Sequence, residues 1–260
     1  MKSIFIIVAT LLLISCESEP TEVLEISGCD NGTFVGIVDL HTQQEVNAFG
    51  SLCYTKIDGR LRIGIDQDND ITDLTPLNNL TEVFSSGSTS SIGKIYITFA
   101  DNLTSLQGLE NIASAAGIVI LDCNNLTNLQ GLEGLTELSS LGGFNDLILT
   151  DNDNLRSLEG LNNLEAIGFL NSGIPTFILI AGNHSLENVD ALTNLNSVYG
   201  SIRIGDYENQ TSPPPQGNNN LTDFCGLQNL FTNGYFEEVD INFNAFNPSV
   251  EEIIAGDCSF

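Results

Sequence analysis

A ten-residue phrase with large apolar residues, mostly leucine or isoleucine, at its first, fourth, seventh and tenth places occurs six times in the chain. Successive copies begin 32, 23, 29, 31 and 35 residues apart. Periods of this length are typical of solenoids, in which a single coil cannot bury its apolar face alone and therefore stacks on its neighbours. The copies are residues 71–80, 103–112, 126–135, 155–164, 186–195 and 221–230.

Short alternating apolar runs lie between the phrases and predict β-strands, because side chains of a strand point alternately to its two faces. Stacked coils would place these runs in one parallel sheet. Apolar residues just after the phrases, such as Val83 and Ile167, predict a second, shorter sheet. The phrase itself predicts a 3₁₀-like turn, since every third residue then falls on one side. The predicted long strands contain residues 61–65, 95–97, 118–120, 147–149, 178–180, 202–204 and 239–243.

The first sixteen residues have the pattern of an export signal. Lys2 precedes an apolar run from Ile4 to Ile14, which is too short to cross a bilayer core that needs about 20 residues. The run ends in Leu13-Ile14-Ser15-Cys16, which resembles the lipobox of bacterial lipoproteins. The resemblance implies that Cys16 is acylated and anchors the protein to a membrane.

Charge and cysteine content restrict the partners and the compartment. Without residues 1–15 the chain has 6 Lys and Arg against 34 Asp and Glu, a net charge of −28 that disfavours nucleic acid. Five cysteines remain besides Cys16, and in an oxidising compartment the economical solution is two disulfides with Cys123 left as a buried, unreactive thiol. Cys123 lies three residues before its phrase, a position that other copies fill with Asp68, Ala100, Asn152 and Asn183. The disulfide candidates flank the repeats at Cys29, Cys53, Cys225 and Cys258.

Repeat ends need covers, and both ends of the chain have helical patterns. Residues 42–49 predict a helix in an N-terminal cap, and residues 248–255 predict a short capping helix after Asn247. The predicted organisation is a signal peptide at 1–15, a lipidated cysteine and spacer at 16–28, an N-terminal cap at 29–59, and a leucine-rich β-solenoid at 60–258 with its C-terminal cap from about 225.

These motifs together resemble the leucine-rich, receptor L-domain-like lipoproteins of Bacteroidetes. The residues that carry the resemblance are 42–50 before Cys53, the phrase ending Leu-x-Gly-Leu-x-x-Leu, and residues 221–227 with Asn247-Pro248. The resemblance implies a right-handed, mainly β solenoid with a parallel sheet and short capping helices, displayed at the outer membrane and cell surface and used for binding.

Motifs of catalysis are absent from the sequence, which has two histidines, no tryptophan, no nucleophile elbow, no zinc-binding helix and no phosphate loop. We therefore expect no enzyme and no cofactor. Asp66, Asp68 and Asp70 are weak calcium candidates because their carboxylates alternate. They do not form an EF-hand, since its sixth and twelfth places would be Ile71 and Leu77.

Alternation along the long strands defines a candidate binding face. If Ile118, Ile120 and their equivalents point inward, an apolar set with one arginine at each end points outward. Contiguous apolar surface of this kind marks an interface, although aromatic and β-branched residues are also simply good strand formers. The ligand-binding candidates are Arg62, Tyr96, Val119, Leu121, Ile148, Phe177, Leu179 and Arg203.

The predicted function is that of a non-catalytic, lipid-anchored envelope protein, adhesin-like or receptor-like, that recognises a protein or glycan through this face. One alternative is a structural envelope protein that self-associates through the same sheet as a homodimer. Another is an accessory to a glycan-degrading system.

Overall fold

The computed structural model describes residues 30–87, 93–139, 145–170, 173, 176–205 and 217–260. The predicted signal peptide, Cys16, the spacer and Cys29 lie outside these residues. No helix within the described part of the chain is long and apolar enough to cross a membrane.

Thirteen strands, paired in parallel, make up one sheet of the described residues. They are β1 (Thr33–Leu40), β2 (Lys56–Gly64), β3 (Glu82–Phe84), β4 (Lys94–Thr98), β5 (Ser114–Ala115), β6 (Gly117–Leu121), β7 (Glu137–Leu138), β8 (Asn145–Thr150), β9 (Ala166–Ile167), β10 (Thr176–Ala181), β11 (Ser197–Val198), β12 (Ser201–Ile204) and β13 (Glu238–Ile241). The helices are α1 (Gln43–Gly50), α2 (Gln228–Asn233) and α3 (Val250–Ala255).

The sheet has a long-strand and a short-strand series, which meet at β2. Residues Leu61–Gly64 of β2 pair with β4, from which β6, β8, β10, β12 and β13 follow. Residues Lys56–Asp58 pair with β3, from which β5, β7, β9 and β11 follow. All seven predicted long strands are confirmed. The second sheet is confirmed as a set of short strands, but it is continuous with the first because nine-residue β2 is long enough to pair with both series.

The ten-residue phrases form the buried interior of the coils. Every first, fourth, seventh and tenth residue of the six copies is at most 1% exposed. Backbone hydrogen bonds between these positions have 3₁₀ spacing, as from Leu132 N–H to the Leu129 carbonyl at 3.2 Å. Three copies contain 3₁₀ helices, at Thr75–Leu77, Asp190–Leu192 and Cys225–Leu227.

Glycine at the sixth place, present in four of the six copies, allows neighbouring coils to approach closely. Gly160 has a φ of +115°, and a Cβ there would lie 2.0 Å from the carbonyl oxygen of Leu129 in the preceding coil. A side chain on residue 160 would therefore be strained by its backbone conformation and would clash with the adjacent backbone.

A ladder of buried asparagines joins the corners between the long strands and the phrases. The backbone N–H of Asn152 donates to Oδ1 of Asn183 at 3.2 Å, and that of Asn183 donates to Oδ1 of Asn218 at 3.0 Å. The side-chain amide of Asn183 donates to the Leu149 carbonyl at 2.8 Å. The ladder thus satisfies backbone groups that would otherwise be buried without partners.

Other coils place different residues at this corner, and Ala100 is buried there in the second coil. The buried thiol of Cys123 occupies the position of the asparagines, and its N–H donates to Oδ1 of Asn152 at 3.0 Å. Burial raises the pKa of Cys123 to about 12, which confirms the prediction of an inert core thiol. In the first coil, the prediction that Asp68 occupies this place is wrong. Asn69 is buried instead, because this corner has one residue fewer before its phrase.

Both predicted helices are present, as α1 and α3, with small shifts of their boundaries. Thr42 caps α1 and forms a capping box with Glu45, as Ser249 does with Glu252 at the start of α3. The predicted cap at 29–59 also contains a strand, β1, which was not predicted. Cys225 and Cys258 form the expected C-terminal disulfide.

Cys53 is also disulfide-bonded.

Candidate binding face

Six of the eight predicted ligand-binding residues lie in one row across the outward face of the long strands. Each residue is directly opposite the next in the parallel register, and all six are half-buried. At about 4.8 Å between strands, the row is about 24 Å long. This central row consists of Arg62, Tyr96, Val119, Ile148, Leu179 and Arg203.

Charged residues stand at both ends of the central row. Arg62 Nε donates to Asp39 Oδ1 at 2.6 Å, and a second guanidinium nitrogen contacts Oδ2. This pairing raises the pKa of Arg62. At the other end Arg203 lies opposite Asp240 of β13 in the register. The middle of the row therefore presents three aliphatic side chains and a tyrosine between two charged ends.

The other two predicted residues lie beside the central row. Leu121 is opposite Thr98 and Thr150, two residues further along the strands. Phe177 lies on the opposite side of the row, next to Asp146, and is 39% exposed. All eight candidates thus lie on one face of the sheet, but only six of them lie in the central row.

The guanidinium group of Arg60 lies against one side of the Tyr96 ring. The guanidinium carbon of Arg60 lies 5.9 Å from the centroid of the Tyr96 ring, a cation–π distance. Burial raises the pKa of Tyr96, so its hydroxyl stays neutral at physiological pH. The ring therefore offers a fixed, half-buried surface to the row.

A buried ion pair that was not predicted from the sequence lies beside the central row. Lys94 Nζ contacts Asp146 Oδ2, and the two side chains are only 5% and 6% exposed. The lysine passes over Gly117, where a Cβ would lie 3.4 Å from Lys94 Cε. Burial raises the pKa of Asp146, while Lys94 opposes that change. A signal was present in the sequence, because Lys94, Gly117 and Asp146 each precede the first inward residue of a long strand.

The face also extends onto β1, a strand that the sequence pattern did not predict. Asp39 and Ile37 are opposite Arg62 and Arg60 in the register. Val35 is 75% exposed and Ile37 is 53% exposed. The most exposed apolar residues on the long strands are therefore at this N-terminal edge rather than in the central row.

The weak calcium candidates contribute to the N-terminal cap. Asp66 Oδ2 lies 2.6 Å from His41 Nδ1, and Asp70 Oδ1 accepts a hydrogen bond from Gln43 N–H at 2.8 Å. Asp68 is exposed. No group of three or more histidine, cysteine or acidic side chains in the described part of the chain is placed to hold a metal ion.

Acidic residues gather at the corners that follow the long strands. Burial is the largest cause of the raised pKa of Asp122. The negative charges of nearby Asp151, Asp101 and Asp153 raise this pKa further. Asp122 and Asp151 both have left-handed backbone conformations, which aspartate tolerates better than most residues. This edge of the face is thus strongly negative, unlike the aliphatic middle of the central row.

Comparison with known proteins agrees with this architecture. The model of the Receptor L domain family matches residues 53–165, from just before β2 to the end of the fourth phrase. Nothing among the curated proteins or the solved structures matches the chain. The fold is a receptor L-domain-like β-solenoid, and the similarity indicates a binding, non-catalytic role.

Proposed function

We propose that this protein is a lipid-anchored protein of the bacterial outer membrane and cell surface that binds another protein through the central row. The observation that carries the proposal is the in-register alignment of Tyr96, Val119, Ile148 and Leu179 across four neighbouring strands. A continuous apolar row flanked by charges has the composition expected of an interface centre with a polar rim.

A protein ligand fits this row better than a glycan does. Val119, Ile148 and Leu179 offer aliphatic surface without hydrogen-bonding groups, which suits apolar side chains. Tyr96 is the one aromatic ring of the row, and the Arg60 guanidinium lies against it. Little aromatic surface is left for stacking on a sugar ring.

The proposed binding role predicts a selective effect of a charge in the row. The ligand for this test is a protein captured from the envelope of the source bacterium and then purified. The Ile148→Glu substitution in the full chain should raise the Kd for this ligand by at least about tenfold. The reason is that a carboxylate would be desolvated against apolar groups. Isothermal titration calorimetry gives the Kd.

The matched control is Ile254→Glu, which places the same charge on the exposed face of α3. Its Kd should stay within about twofold of the parent. Equal Kd values for the parent and Ile148→Glu would refute binding through the central row.

The proposed anchor rests on the lipobox-like Leu13-Ile14-Ser15-Cys16. A Cys16→Ser variant should move from the membrane fraction to the soluble fraction, because it lacks the thiol that carries the acyl group. Immunoblotting of fractionated cells measures this, and mass spectrometry of the parent should find the acylated cysteine. Membrane association of the variant equal to that of the parent would contradict the anchor.

A further inference from the structure

Strand β1 is an unusual edge. Its eight residues pair along their full length with β2, and β1 pairs with no other strand among the described residues. The Gly36 carbonyl oxygen points at β2, 1.7 Å from where a Cβ on Gly59 would lie. Because alternate residues of a strand direct their backbone groups to opposite edges, Thr33, Val35, Ile37 and Asp39 direct theirs away from β2.

Within the described structure, this edge lacks the features that usually protect an open strand. It contains no lysine, arginine or proline, and its one charged residue, Asp39, is paired with Arg62. Val35 and Ile37, on either side of Gly36, are 75% and 53% exposed. By contrast, β13 at the other end of the long series has four residues and carries Glu238 and Asp240.

The edge is also complementary to itself. In an antiparallel pair of two β1 strands with a twofold axis at Gly36, Val35 of one copy faces Ile37 of the other, and Thr33 faces Asp39. All four of these residues direct their backbone groups toward the second copy, so the register forms hydrogen-bonded pairs along the strand. Such self-complementary contacts produce closed twofold dimers.

We infer that two copies of this chain associate edge to edge through β1, which makes one continuous sheet across the dimer. The partner strand at this edge comes from a second copy of the chain. Although the net charge of the chain is −27, β1 is uncharged apart from Asp39, which Arg62 neutralises, so two β1 strands do not repel each other. The acidic surfaces of the two copies still repel one another, and salt screens that repulsion over about 10 Å at 0.1 M. Dimerisation should therefore strengthen as salt is added.

The dimer does not depend on the proposed binding function. Pairing uses the edge of β1 and leaves the outward side chains of the central row uncovered. Failure of the dimer would therefore leave the protein-binding proposal unaffected, and the reverse also holds.

Sedimentation velocity tests the inference on the full chain carrying Cys16→Ser, which removes association through acyl chains. We expect twice the mass that denaturing mass spectrometry gives for the same preparation, with a dimer fraction that rises between about 0.05 and 0.5 M salt. Adding Ile37→Lys should weaken the dimer at least about tenfold. Circular dichroism checks that the fold is kept.

The control is Leu170→Lys, which changes a residue that is 60% exposed and lies outside the long strands. It should sediment as the parent does. A single-copy mass for the parent, an unchanged dimer in Ile37→Lys, or masses that grow beyond two copies through head-to-tail pairing would each overturn the inference.

Discussion

Replacing Lys94 by methionine is expected to lower the free energy of unfolding by about 3–5 kcal/mol. The substitution keeps the apolar stem of the side chain over Gly117 but leaves the buried Asp146 without its cation. One oxygen of that carboxylate, Oδ1, already has no hydrogen-bond partner within the described structure. Urea unfolding followed by circular dichroism measures the loss.

The size of this loss should depend on pH. Without Lys94, burial alone acts on Asp146, so its folded pKa lies above its unfolded value. Below the unfolded pKa, near 3.9, the carboxyl is neutral in both the folded and the unfolded chain and does not lower stability. As the pH rises through the folded pKa, the carboxyl ionises and destabilises the fold. The deficit relative to the parent should therefore be smaller near pH 4 than near pH 7.

A second substitution separates the charge from packing. The double variant Lys94→Met with Asp146→Leu removes both charges and should recover most of the lost stability at pH 7. A loss below about 1 kcal/mol in the single variant, or no recovery in the double variant, would show that the pair is not buried as described.

Replacing Leu129 by alanine should lower the free energy of unfolding by about 2–5 kcal/mol. Leu129 is the fourth residue of the third phrase and is fully buried between neighbouring coils. Removal of its side chain loses apolar burial and leaves a cavity that adjacent leucines cannot fill, because each is fixed in its own coil. Urea titration against the parent gives the difference.

The matched control is Leu170→Ala, a leucine that is largely exposed. Its effect should stay within about 0.5 kcal/mol. If Leu129→Ala unfolded at the same urea concentration as the parent, the inward register of the phrases would be wrong.

Much of the solenoid could be predicted because its buried residues recur at a fixed spacing in the sequence. Burial selects large apolar residues, mostly leucine or isoleucine, at every third place of each phrase, and the alternating runs upstream then divide into inward and outward residues. Six of the proposed ligand-binding residues fall in one row for this reason. Leu121 and Phe177 share the face but not the row, since outward alternation alone does not say which residues stand opposite each other.

What could not be predicted depends on contacts between distant parts of the chain. The Lys94–Asp146 pair joins residues 52 positions apart and needs a glycine on the strand between them. β1 was missed because no phrase follows it; α1 takes that place and packs on the first phrase, where Gln43 accepts a hydrogen bond from Thr72 N–H. The Asp68 assignment failed because one coil has a shorter corner than the others.

Photo-crosslinking in intact cells tests most directly whether the central row is the binding surface. A benzophenone amino acid placed at position 148 should form an adduct with one other protein. The same group at position 137, on the exposed face of the short-strand series, should form none. No adduct from position 148, equal yields from both positions, or an adduct from position 148 with a second copy of this chain would contradict binding of another protein through the central row.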